Sequence, residues 1–251
     1  MTETSRCPRC GTHSAGAGER SLCPACLLGL ALDPGAEADA DVEAGPDVDP
    51  SLPGPAYRVL TVLSSEPDRT TYLAEQDDTR RMVTLDVVSI PPAGGPDSLA
   101  GCRERLRALV RWSARGAARV IDGRVTPSGD FCVVSVYVRG QRLDRYCEAR
   151  HMAPGARERL FSAVCDTMAD AHRHGVYHGR LRPDLVVAAG SGDAARPIVL
   201  GFSVTPGRVP TAADDVAGLE AIARAMGWRG ADGPPCASVA GIRDAALIGW
   251  A

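Results

Sequence analysis

Apolar and polar residues alternate along three stretches, residues 57–63, 70–75 and 82–89, with a polar turn after each of the first two. A period of two, together with many β-branched residues, is typical of strands that bury one face. We therefore predict an antiparallel meander. Two further runs, residues 118–125 and 131–138, flank the turn sequence Thr-Pro-Ser-Gly-Asp and predict a hairpin.

A helical period replaces the alternation in other stretches. In residues 99–112, apolar side chains fall three or four positions apart, and residues 143–149 form a shorter helical pattern. The clearest helix is predicted over residues 154–174, where Pro154 suits the first turn and Gly175 follows the last. Beyond it, apolar runs at 185–188 and 198–200 predict a second hairpin closed by residues 190–193, and a further helix begins near residue 213.

Four of the nine cysteines form two Cys-x-x-Cys pairs separated by 12 residues. Two such pairs supply four thiolates, which is the closed tetrahedral set of structural zinc, so residues 1–32 are predicted to be a zinc ribbon. The segment is too small to fold without its metal. A redox dithiol or disulfides are the alternative, disfavoured in a reducing compartment. The predicted ligands are Cys7, Cys10, Cys23 and Cys26.

Residues 33–55 contain seven acidic residues, five prolines and no basic residue. Self-repulsion and proline predict an extended, disordered linker, with a weaker alternative as an acidic arm that competes for a basic face. Because the linker holds seven negative charges, the net charge of −3 becomes +4 without it. The predicted domains are therefore the ribbon at 1–32, the linker at 33–55 and one folded domain at 56–251.

The composition narrows the possible functions. A net charge of −3 does not indicate a nucleic-acid binder, and no apolar run reaches the length of a membrane span. The N-terminus lacks the pattern of a secretory signal, so a cytoplasmic location without membrane contact is expected. All 28 basic residues are Arg, and the chain contains neither Lys nor Asn.

The segment after the long helix reads His-Gly-Arg-Leu-Arg-Pro-Asp-Leu, and the later strand ends in Leu-Gly-Phe. It resembles the catalytic loop of bacterial serine/threonine protein kinases of the eukaryotic type, which reads His-Arg-Asp-Leu-Lys-Pro-x-Asn, with Asp-Phe-Gly after the following strand. Four positions match this pattern: His178, Leu181, Pro183 and Phe202. The resemblance implies an α+β bilobal fold, with an antiparallel β small lobe at 56–138 and a reduced, mainly helical large lobe at 139–251.

The positions that handle charge differ from that family. Arg180 stands in place of the catalytic base Asp, Arg182 of the Lys, Leu185 of the metal-binding Asn and Gly201 of the magnesium-binding Asp. Asp86, in the third strand, stands in place of the Lys that pairs with phosphates. The loop over residues 64–69, glycine-rich in the family, has no glycine here. The architecture is therefore expected to be kept and the groups for phosphate, proton and metal to be changed.

Two acidic residues have further counterparts in the resemblance. Glu104 matches the ion-pairing Glu of the family's regulatory helix, but with Asp86 opposite that pair cannot form, so Glu104 is predicted to be a surface charge or a partner of nearby arginines. Asp215 matches the residue that caps the catalytic-loop backbone.

These observations predict a pseudokinase, that is a protein that is not an enzyme, has no catalytic residue, and acts as a protein-binding regulatory or scaffold module in bacterial signalling. Structural zinc is the expected cofactor, and ATP and magnesium are not expected. Arg180 and Arg182 would make the cleft positive and suited to an acidic or phosphorylated peptide. One alternative is an active or ATP-binding serine/threonine kinase with rewired residues. Another is a nucleic-acid-binding zinc ribbon, weakly indicated because it lacks aromatic residues.

Overall fold

The computed structural model describes the backbone of residues 4–6 and 13–15, and residues 57–90, 95–190, 195–204 and 206–228. The chain divides into two compact units, Met1–Ala44 and Gly45–Ala251. In the first unit, strands β1 (Thr4–Arg6) and β2 (His13–Ala15) pair antiparallel. The four predicted zinc ligands and the predicted linker lie outside the described residues.

The second unit begins with a five-stranded antiparallel sheet in the order β3-β4-β5-β7-β6. Alternate residues such as Val83 and Leu85 point into a core shared with Val134, which explains the period of two in the sequence. The predicted meander and hairpin are both confirmed, with ends that differ by up to three residues. The strands are β3 (Tyr57–Glu66), β4 (Arg69–Gln76), β5 (Arg81–Val88), β6 (Val120–Val125) and β7 (Phe131–Val136).

Helix α1 (Gly95–Arg111) connects β5 to β6. Its buried residues Cys102 and Leu109 belong to the same core as Phe131 and Val133 of β7. Helix α1 therefore packs its apolar side against the β6–β7 part of the sheet, as the helical spacing of apolar residues indicates. Trp112, directly after the helix, continues this buried face.

The remainder of the unit is mainly helical. It contains α2 (Leu143–Ala149), α3 (Pro154–Arg173) and α4 (Ala212–Ala225), together with a small sheet in the order β10-β9-β8. The small strands are β8 (Gln141–Arg142), β9 (Val186–Ala189) and β10 (Arg196–Val199), and a 3-10 turn at Pro183–Leu185 precedes β9. The second hairpin is confirmed, although residues 191–194 at its tip lie outside the described residues.

The ends of α3 and α4 follow from local chemistry. Pro154 occupies the first turn of α3, where its missing N–H costs nothing. Helix α4 begins with a capping box, in which the Thr211 hydroxyl accepts from the Asp214 N–H and the Asp214 carboxylate accepts from the Thr211 N–H. Within the described ranges, no helix is long and apolar enough to cross a bilayer.

Candidate functional site

The loop between α3 and the 3-10 turn is held by Asp215 of α4, whose side chain is 0% exposed. Its carboxylate accepts hydrogen bonds from the backbone N–H of His178 at 2.9 Å and of Gly179 at 2.7 Å. The His172 ring also donates to it, at 2.8 Å. Because a buried carboxylate must have its hydrogen bonds satisfied, these contacts position the loop. Asp215 therefore occupies the capping role implied by the resemblance.

A chain of ring contacts runs from this loop to the end of α1. The His178 ring lies 4.8 Å from the Phe202 ring, and Phe202 lies 4.7 Å from Trp112. His178 donates through Nε2 to the Leu200 carbonyl at 2.8 Å, and its Nδ1 accepts from the Arg180 N–H. Burial lowers the pKa of His178, so the ring is neutral and packs as part of the core.

Glu66, at the end of β3, lies against the loop. The Arg180 guanidinium donates to its carboxylate, and Arg182 pairs with the other carboxylate oxygen at 3.0 Å. Arg182 also pairs with Asp184 at 2.8 Å. The expectation of a positive cleft at Arg180 and Arg182 is therefore corrected, because Glu66 and Asp184 offset the two charges.

Asp86 lies on β5 beside β4. Arg69 donates to one oxygen of its carboxylate, and the Thr71 hydroxyl donates to the other at 3.0 Å. The second amino group of Arg69 donates to the Val204 carbonyl at 2.8 Å. Burial lowers the pKa of Arg69 and the attraction of Asp86 partly opposes this shift. An internal ion pair thus occupies the place of the phosphate-pairing Lys and ties the sheet to the segment after β10.

Arg105 of α1 contributes a contact that the sequence pattern did not single out. It donates to the carbonyls of Ser203, at 2.8 Å, and of Tyr177. Burial lowers the pKa of Arg105. The sequence feature that points to Arg105 is its position in the helix, where a charged residue lies between the buried residues Cys102 and Leu109. Glu104, by contrast, is an exposed surface charge, as predicted.

Leu185 and Gly201 face each other. A Cβ atom added to Gly201 would lie 3.3 Å from a Leu185 methyl group and 3.8 Å from the His178 ring. Gly201 has a backbone φ of +75°, in the left-handed region that favours glycine. The two positions that match magnesium ligands in the resembled family therefore meet in space, and neither offers a side-chain oxygen to a metal.

A chain of contacts connects the five altered positions. Arg69 bonds both Asp86 and Val204, three residues beyond Gly201, while Glu66, three residues before Arg69, pairs with Arg180 and Arg182. These residues do not fit a magnesium-bound triphosphate, because carboxylates stand where cations are needed and apolar groups where oxygens are needed. In the part of the chain that the structure describes, no group of three or more His, Cys, Asp or Glu residues could hold a metal ion.

Solved structures with a similar fold are kinase domains. The structure matches the PknI kinase domain of Mycobacterium tuberculosis with a TM-score of 0.58 and 17% sequence identity, covering 81% of this chain and 100% of that domain. A double mutant of the same domain matches with a TM-score of 0.58 and 16% identity. The described fold is that of a protein kinase domain. The kinase-like α+β architecture implied by the sequence is thereby confirmed.

Curated relatives of this kinase-like chain are bacterial serine/threonine kinases. It is 27% identical over 165 residues to serine/threonine-protein kinase pkn2 of Myxococcus xanthus, and 27% identical over 154 residues to PknL of Mycobacterium bovis. These alignments include 64% and 61% of this chain, but only 19% and 39% of the relatives. No family model matches the chain.

The names of these relatives correct one prediction. The sequence predicts a protein that is not an enzyme, whereas the proteins it resembles in sequence are named as protein kinases, which are enzymes. That prediction depends on the side chains at five positions, namely Asp86, Arg180, Arg182, Leu185 and Gly201. Sequence similarity to proteins named as kinases is a separate observation, and it makes phosphoryl transfer a function that has to be tested.

Proposed function

We propose that the kinase-like unit binds a protein partner and regulates or scaffolds a signalling step. The observation that carries the proposal is the contact of Glu66 with Arg180 and Arg182, which closes the β3–β4 turn onto the catalytic-type loop. In a kinase this space holds the phosphates of the nucleotide. Here the chain's own carboxylate takes the position of an anion between the two arginines.

Charge supports this proposal. A triphosphate entering the cleft would approach the carboxylates of Glu66 and Asp86, and two like charges 4 Å apart repel by about 4 kcal/mol near a protein surface. It would also have to separate Arg69 from Asp86, a pair whose two side chains are largely buried. The two carboxylates and the buried ion pair therefore disfavour nucleotide binding at this position.

The proposed partner carries an acidic or phosphorylated segment. Arg182 is partly exposed and shared between Glu66 and Asp184. A phosphoryl group presents more negative charge than one carboxylate and pairs well with guanidinium groups. Such a peptide would therefore compete with Glu66 for Arg180 and Arg182.

A direct test measures binding of a fluorescent phosphoserine peptide by anisotropy. Glu66→Gln removes the carboxylate charge that both arginines contact, although Arg182 keeps its pair with Asp184, and should tighten binding by about tenfold. Arg180→Ala with Arg182→Ala should weaken binding by a similar factor. The matched control replaces two exposed arginines elsewhere, Arg115→Ala with Arg159→Ala, and should leave the affinity unchanged. Equal binding by all four proteins would refute this use of the cleft.

Phosphoryl transfer is the second candidate function, because the curated relatives are named as kinases. It is tested with radiolabelled ATP and magnesium or manganese on the full chain, beside a thermal titration with ATP. Transfer that disappears in Arg180→Ala with Arg182→Ala, while the control Arg115→Ala with Arg159→Ala retains it, would establish this second candidate and overturn the partner-binding proposal. A melting temperature unchanged by ATP would favour partner binding.

The first unit is proposed to be a zinc ribbon held by Cys7, Cys10, Cys23 and Cys26, which docks proteins and not nucleic acid. We expect about one zinc per chain, lost when Cys7 and Cys10 are replaced by Ser. Elemental analysis of the purified chain measures this content.

The cytoplasmic location is also part of the proposal, and fractionation of the native cells tests it.

A further inference from the structure

A cavity of about 540 Å³ lies beside α1, between that helix and two loops at residues 175–176 and 207–210. Its volume is within the range of about 300–1,000 Å³ typical of ligand sites. Most of its wall is apolar or glycine. The apolar lining residues are Cys102, Ala108, Leu109, Val176, Val209 and Pro210.

The glycines of the wall leave space open. A Cβ atom added to Gly101, Gly175 or Gly207 would meet no atom within 4 Å. Val209, on the loop that forms one side, is 83% exposed although it is a large apolar residue. The exposed Val209 side chain therefore extends the apolar wall of the cavity to its rim.

Three charged residues line the cavity, and two of them already have partners within the described residues. Arg105 is committed to the carbonyls of Tyr177 and Ser203, and Arg208 pairs with Asp214. Glu104 is exposed and pairs with no residue of the described ranges. The uncommitted charge at this wall is therefore negative, and it favours a cation next to whatever fills the cavity.

The outer face of α1 beyond Glu104 is basic. Arg103, Arg107 and Arg111 are exposed, lie four residues apart on one side of the helix, and form no ion pair with the described residues. A partner that reaches past Glu104 would meet three positive charges. Acidic residues suit that part of the surface.

We infer that this cavity is a docking site for a peptide segment of a partner protein. The segment has a bulky apolar side chain that enters the cavity, an adjacent Lys or Arg that pairs with Glu104, and acidic residues further along α1. The inference rests on the proposed function and places a second contact for the same acidic partner outside the cleft. Arg105 links the two sites, since it lies in the cavity wall and bonds the loops that line the cleft.

The test uses defined fluorescent peptides and the full chain, with binding followed by anisotropy. The reference peptide has a central Lys-Trp pair flanked by glutamates. In one variant Ala replaces the Trp, and in another Glu replaces the Lys. Hydrogen exchange with and without the reference peptide locates the contact, and protection is expected at residues 101–109 and 207–210.

Two protein variants test the site. Gly101→Phe places a ring where a Cβ meets no neighbour, so the fold is kept while the cavity is filled, and Gly155→Phe is the matched control on the exposed start of α3. We expect Gly101→Phe to weaken binding by about tenfold or more and the control to leave it unchanged. Glu104→Arg should weaken binding of the Lys-Trp peptide by about fivefold and should prefer the peptide in which Glu replaces Lys.

The inference is overturned if the Lys-Trp peptide does not bind, if Gly101→Phe binds it as wild type does, or if its Ala variant binds equally well. None of these outcomes affects the phosphopeptide or ATP measurements, which report on the cleft. Failure of the docking site and failure of the proposed function are therefore separate results.

Discussion

Removing Asp86 tests whether the cleft is held by a buried charge pair. The side chain of Arg69 is 7% exposed and that of Asp86 12%, and the Thr71 hydroxyl adds a hydrogen bond. Asp86→Leu leaves the Arg69 guanidinium without its anion in a region that water barely reaches. Breaking a buried pair from one side costs about 3–5 kcal/mol, so we expect the free energy of unfolding to fall by about 3 kcal/mol or more.

The assay is urea denaturation followed by tryptophan fluorescence and circular dichroism. It compares wild type, Asp86→Leu, Arg69→Met and the double variant. The double variant removes both charges and fills their space with apolar side chains, so its loss should be about 1 kcal/mol or less. The resulting coupling energy between Arg69 and Asp86 should be at least about 2 kcal/mol.

Glu148→Ala provides the surface comparison. Glu148 pairs with Arg145 at 2.9 Å, and both side chains are more than half exposed. Exposed pairs contribute about 0–1 kcal/mol, so this variant should be nearly neutral. If Asp86→Leu were no more destabilising than Glu148→Ala, or if the double variant lost as much as the two single variants together, the argument from a buried pair would be refuted.

Three further predictions concern the loop and its supports. Gly218→Ala should destabilise the protein by about 2 kcal/mol or more, because the added Cβ would lie 2.4 Å from the Leu181 carbonyl oxygen. Gly101→Ala, in contrast, should be neutral or stabilising by up to about 1 kcal/mol. Thermal melts compare the two variants, and equal effects would contradict the contact with Leu181. Asp215→Asn should lower stability by about 2 kcal/mol because an amide accepts fewer hydrogen bonds, and unchanged hydrogen exchange at residues 178–179 would argue against the cap. Burial lowers the pKa of His178, so the unfolded chain binds a proton at this ring before the folded chain does as pH falls below about 6.5, and stability should decrease on acidification. Denaturation at several pH values should show that the free energy of unfolding changes less steeply with pH in His178→Gln than in wild type. An identical slope would exclude this group.

The site illustrates which residues a sequence pattern can identify. Asp215 was identifiable because an aspartate early in the helix after a catalytic-type loop has a local signature. Arg105 has no such signature, and its role follows from the carbonyls of Tyr177 and Ser203, about 70 and 100 residues away. The unusual residues Leu185 and Gly201 are visible in the sequence, whereas their mutual contact is a property of the folded chain.

Most strands and helices of the kinase-like unit can be predicted from the amino-acid sequence alone. Hydrophobic periodicity is a local property, since the side of a strand or helix that is apolar decides which side is buried. The sequence also indicates which positions carry unusual charges for a kinase-like cleft, because charge is a property of each residue.

How those charges are neutralised depends on contacts between distant parts of the folded chain. Glu66 and Arg180 are 114 residues apart, and Arg69 and Val204 are 135 apart, so no local pattern predicts that they meet. They meet because the packing of α1 and the sheet against the helical part brings the β3–β4 turn onto the loop held by Asp215. Close approach then gives electrostatic attraction its effect, since it falls with distance and strengthens where water is excluded.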